Sequence, residues 1–170
     1  KTLTMHHYKK RLAQAENVAE VFELVKDAVL ESIGDSRAGL DLGLMELGNQ
    51  RGNWLGAFYP VGSNVIVMNK TPLRRIMETG PELMKPYLFH VLLHEYLHSL
   101  GFVDEKSCRI LTYNICRKVL GRHEATEMSR DIRQFMPYIA YPDGAPQLDH
   151  DVNNIEVVEN FDRESDVYIG

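Results

Sequence analysis

The sequence predicts an α+β fold, on three observations. Helical periodicity opens the chain, short β-rich runs divided by turn residues follow, and the second half returns to helical patterns. Because strands and helices are grouped rather than alternating, βαβ units are not expected. From 11 to 33 the apolar positions Leu12, Ala15, Val18, Val21, Phe22, Val25, Ala28 and Val29 form one helical stripe, and Gly34 ends it. The runs "GLDLGLMEL", "NWLGAFYP" and "NVIVMNK", the last two separated by the turn-like "VGSN", predict a small sheet of about three strands containing a hairpin.

"TPLRRIMET" carries a proline suited to a first helical turn, and Gly80-Pro81 punctuates. "PELMKPYLFHVLLHEYLHSLG" then predicts a helix from near Pro86 to the glycine stop at Gly101. Two further helices are expected, from about Glu105 to Leu120 and from about His123 to the neighbourhood of Phe135, ending near Met136-Pro137. "YPDGAP" is a turn or linker. Two short apolar clusters beyond it, 155–158 and 167–169, are candidates to add strands or dock on the body.

With 170 residues, the chain is long enough to bury a core without a disulfide or metal staple. One domain over residues 1–140 is expected, with an acidic C-terminal extension over 141–170. That extension holds eight acidic residues against the single base Arg163, so it carries the whole excess of the net charge of −5. The body is nearly neutral, which disfavours nucleic acid as a partner, since phosphate neutralisation needs several placed lysines or arginines.

Cys108 and Cys116 would stand about 12 Å apart along one helix, beyond disulfide reach. They read as buried or free thiols suited to a reducing compartment. No apolar run has the length of a membrane span and the N-terminus lacks a secretory core, so a cytoplasmic protein is expected, with no membrane partner. The oligomeric state is not legible.

The chemistry concentrates in "HEYLHSLGFVDE", residues 94–105. Residues four apart on a helix are offset by only about 40°, so His94 and His98 project from one face and can share a cation. Two neutral imidazoles suit zinc, and Glu95 beside them suits a general base. A third ligand must come from elsewhere, and Gly101 can turn the chain back to deliver one.

Here the stretch resembles the zincin metallopeptidases, and most closely the metzincin motif H-E-x-x-H-x-x-G-x-x-H. His94, Glu95, His98 and Gly101 match it, and Asp104 stands where that motif has its third histidine. The resemblance implies a zincin-like fold in which a small mixed sheet with an edge strand packs on helices, the active-site helix carrying the motif. It also implies a hydrolase acting on a peptide or protein substrate. His94, His98 and Asp104 would hold Zn2+, Glu95 would activate water and protonate the leaving amine, and Tyr138 would stabilise the oxyanion. Met136-Pro137-Tyr138 is similar to the methionine turn beneath the metal in that group. "GAFYPVGSNVIVMNK" stands where zincins carry the strand that pairs with an extended substrate.

Other acids compete for the third ligand position, chiefly Glu105 and, more distantly, Glu127 in a segment similar to the gluzincin glutamate helix. His90 lies one turn before His94 and reads as a packing or supporting residue. His123, Glu124 and His150 read as solvated, and His6-His7 as part of a floppy N-terminal end. Two rival functions stay open. The same stretch is similar to the H-G-x-x-H-x-x-G-Y-D-H motif of a bacterial rRNA-maturation nuclease family, from which Glu95 and the missing final histidine depart. A metal-stabilised module that binds peptides without cleaving them is the other.

Overall fold

The computed structural model describes residues 3–48, 54–143, 145 and 155–162. Its helices are α1 (Met5–Gln14), α2 (Val18–Ile33), α3 (Lys70–Thr79), α4 (Met84–Ser99), α5 (Glu105–Leu120), α6 (Glu124–Arg130) and α7 (Met136–Ile139). Its strands are β1 (Asp41–Met45), β2 (Ala57–Phe58), β3 (Val65–Asn69) and β4 (Glu156–Val158). The class is α+β, as expected, with a mixed sheet in the order β2-β3-β1-β4. β1 and β3 run parallel, with Leu42 opposite Ile66, while β2 and β4 pair antiparallel at the two edges.

The helix expected over 11–33 is two helices. Asn17 caps α2 by accepting a hydrogen bond from Glu20 N (2.9 Å), and Glu20 reaches back to Glu16 N. The local "NVAE" is a capping signature, and it overrides an apolar stripe that continues across the break. α4 begins two residues before Pro86, after a 3-10 turn over Pro81–Leu83. Pro86 is thus in the first turn, where a missing N–H has no intrahelical partner to lose.

α4 is apolar almost all round because it is covered almost all round: Tyr87, Phe89, Leu92, Leu93, Tyr96 and Leu97 are fully buried. α2, α5 and α6 pack on it, and β2 and β3 approach it from the sheet. Cys108 and Cys116 are buried free thiols on α5, as their spacing predicts.

The chain's end adds to the sheet. The cluster 155–158, a candidate to add a strand, supplies a fourth beside the three expected from the first half, through Leu42 opposite Val158 and Leu44 opposite Glu156. Beyond it, Phe161 stacks on Phe22 (centroids 4.2 Å apart) and Asp162 pairs with Lys26 at 2.7 Å, with both charged side chains buried. A boundary at 140/141 therefore does not separate two units, because residues 156–162 complete the sheet and the core. The cluster 167–169 lies outside the described residues. Among the described residues, no helix is long and apolar enough to cross a membrane.

His123, expected to be solvated, instead caps α6: its Nδ1 accepts from Ala125 N at 3.1 Å, which requires a neutral ring. Burial lowers its pKa and Lys9 adds to the effect, while Glu124 opposes it. A folded-state pKa below the unfolded value gives stability that is present above about 6.5 and lost as pH falls through that window. Between about pH 7 and pH 5, thermal melting of the wild type should drop relative to a His123→Asn variant, which keeps a cap that does not titrate. Parallel melting curves across that range would remove His123 from this role.

Candidate metal centre

α4 delivers His94 and His98 to one face, with their Nε2 atoms 3.1 Å apart. The turn after α4 needs Gly101, whose φ of 111° is costly for any residue with a Cβ. That turn brings the Phe102 carbonyl to 2.7 Å from His98 Nδ1. A carbonyl can only accept, so Nδ1 donates to it and Nε2 is the ring nitrogen left facing His94 and Glu105.

The same turn starts α5, and its first residue closes the group. Glu105 Oε1 is 2.7 Å from His94 Nε2, and Oε2 is 3.1 Å from His98 Nε2. Acceptor atoms this close repel unless a proton or cation sits among them. Burial lowers the pKa of His94, with Glu105 opposing, which disfavours the doubly protonated ring; a neutral His94 with its proton on Nε2 can donate to Glu105, and a bound cation would replace that proton. In a tetrahedral zinc shell with nitrogens about 2.0–2.1 Å from the ion, ligand atoms lie about 3.3 Å apart. The observed spacings fit that shell after small movements.

Cys108, one turn further along α5, joins the two histidines in a group that can hold a metal ion, with ligand atoms within 4.8 Å of one another. Its thiol is pushed up to about 12, mainly by burial, and its Sγ lies 3.3 Å from the His94 carbonyl, which accepts its hydrogen. Glu105 already touches both imidazoles, so it is the better third ligand and Cys108 stands in reserve behind them.

Two residues expected at the site are elsewhere. The Asp104 carboxylate is exposed and caps α5, accepting from Ser107 N at 2.8 Å, and that bond lowers its pKa. A helix starting at Glu105 needs an N-cap, and aspartate is among the best. The cap therefore claims Asp104, and the neighbouring position faces the histidines. Tyr138 lies on α7, which packs against α3; its carbonyl accepts from Thr79 Oγ1 (3.0 Å), and its side chain is not among the residues lining the cleft. Met136 packs against the core, while Met128 of α6, buried, lines the cleft instead. Glu127 holds Arg130 (2.6 Å) and is also outside the cleft. His150 lies outside the described residues.

The histidines open onto a cleft of about 990 Å³. One wall is residues 54–59, which include the edge strand β2. Arg37, which sequence reasoning passed over, fixes that wall to the motif helix by donating to Ser63 O (2.7 Å), Ser99 O and Tyr59 Oη (2.9 Å each). Gly56 permits a close approach, since a Cβ there would meet Tyr87 Oη at 2.8 Å and a Trp54 ring carbon at 2.9 Å. Tyr87 Oη and Trp54 Nε1 are buried without hydrogen-bond partners beside the cleft.

Glu95 lines the cleft almost wholly buried, and its carboxyl is pushed up to about 8 by burial and then by Glu105. His90 is held by Ser129: its Nδ1 lies 2.8 Å from Ser129 Oγ, whose own hydrogen goes to Ala125 O (2.8 Å). Nδ1 therefore donates and the ring is neutral, with burial and then His94 lowering its pKa to about 3. Compared with family models, curated proteins and solved structures, the chain finds no match in any of the three.

Proposed function

We propose that this protein is a zincin-like, zinc-dependent peptidase whose metal is held by His94, His98 and Glu105. The observation that carries the reading is the convergence of both Nε2 atoms on the Glu105 carboxylate at the floor of a cleft walled by an edge strand. A bound zinc ion would polarise the scissile carbonyl and lower the pKa of an attacking water. Glu95 would accept a proton from water and return it to the leaving amine, a role suited to a buried carboxyl pushed up to about 8. β2 offers backbone donors and acceptors to an extended peptide, which holds the peptide in register across α4. The edge strand favours a peptide over RNA.

Elemental analysis of purified protein tests the ligand set. About one zinc per chain is expected in the wild type. His98→Ala and Glu105→Ala should each weaken binding by at least the roughly 10- to 100-fold that loss of a supporting residue costs. Asp104→Ala should keep the metal and melt at a somewhat lower temperature through loss of its cap. Metal lost on removing Asp104 but kept on removing Glu105 would reverse the assignment, and a wild type unable to take up any divalent ion would end the reading.

A further inference from the structure

We propose that the cleft selects substrates bearing a carboxylate side chain, through an arginine wall formed by Arg109, Arg130 and Arg133; this rests on the peptidase reading above.

The two walls of the cleft differ in chemistry. On the β2 side Trp54, Leu55, Phe58 and Tyr59 contribute no charge. On the far side α5 supplies Arg109, the end of α6 supplies Arg130, and the turn before α7 supplies Arg133.

Glu95, Glu105 and Asp131 also line the cleft, so the distinction lies not in a count of charges but in which guanidinium donors are left unspent. Glu105 faces the two imidazoles, and Asp131 is taken by Arg133 through contacts of 2.9 and 3.2 Å. Arg130 is bonded by Glu127 Oε2 through Nε and one Nη, which leaves its other amino group for a ligand. Arg109 is the freest: it is 70% exposed, and among the described residues its acidic neighbour, Glu105, is 3.7 Å away, beyond hydrogen-bond range. A guanidinium with unspent donors accepts a carboxylate in bidentate geometry. An acidic side chain on a peptide laid along β2 and directed across the cleft meets this wall. RNA fits less well, because three arginines, two of them already engaged, neutralise few phosphates.

The test separates binding from turnover. Fluorescent peptides identical except for Glu or Gln at one position are titrated into the zinc-loaded Glu95→Gln protein, while wild type is assayed for cleavage of the same peptides. The Glu peptide is expected to bind about tenfold tighter than its Gln twin, with the advantage shrinking at high salt. Arg109→Glu should invert the order in favour of a Lys peptide, and Arg133→Ala should halve the advantage or better, each with a melting temperature close to that of the parent. Equal affinity for the twins overturns the inference, whether or not wild type cleaves them. A single-stranded RNA oligomer that binds more tightly than the Glu peptide overturns it too. Selective binding without cleavage by wild type supports the arginine wall and removes the peptidase reading, so the two failures are distinguishable.

Discussion

Glu95→Gln is expected to abolish peptide hydrolysis, by about 10²- to 10⁴-fold, while leaving the metal content unchanged. Glutamine keeps the shape and buried position of Glu95 but can neither accept a proton from water nor pass one to an amine. The environment explains why this carboxyl suits the task. Burial raises it first and the nearby Glu105 adds to the effect, bringing it to about 8, close to a working pH, where a group can take a proton and return it. The measurement is turnover of a mixed peptide library beside zinc content for both proteins. Hydrolysis that survives in the glutamine variant means that Glu95 is not the base, and loss of metal in that variant would show that it is a ligand instead.

Asp162→Ala should cost about 3–5 kcal/mol, because it strands a buried ammonium. Asp162 accepts from Lys26 Nζ (2.7 Å) and from Leu40 N (3.2 Å), so its removal takes a buried carboxylate from the ammonium and an acceptor from a backbone donor together. Glu23 lies 3.2 Å from the same Nζ but accepts no aligned hydrogen bond there, and it compensates only in part. For a chain of this length the loss corresponds to a fall in melting temperature of roughly 6–20 °C. A Lys26→Met, Asp162→Leu pair, apolar at both ends, should recover most of it, since an unpaired charge costs far more than an absent pair. A single alanine variant that melts within a degree or two of wild type would show that the segment after β4 does not hold the core.

The legible parts of the fold were those governed by neighbours in the chain. The bounds expected for α5, about Glu105 to Leu120, are the bounds observed, because its apolar spacing, its acidic start and Gly121 act locally. The break before α2 was written in Asn17 and Glu20, and a reading by apolar stripe alone passed over it. The pair His94 and His98 was legible for the same local reason, since their common face follows from four-residue spacing.

The carboxylate that faces the histidines was legible only as a rival, although its signal was present. A helix predicted to start at Glu105 makes Asp104 its N-cap, which holds the Asp104 carboxylate at Ser107 N and leaves the next residue to face the imidazoles. Tyr138 failed differently, since a Met-x-Tyr spacing says nothing about which side of α3 receives α7.

By itself the sequence determined the class of fold, the motif helix with its paired imidazoles, the glycine turn beyond it and the two separate thiols. Only the tertiary structure decided that Glu105 faces both imidazoles, that Arg37 fastens the edge strand to α4, that three arginines line the same cleft, and that residues 156–162 complete the sheet and core. The division has one physical cause: backbone periodicity and capping act over a few residues, whereas a contact such as Lys26 with Asp162, 136 positions apart, depends on the path of everything between.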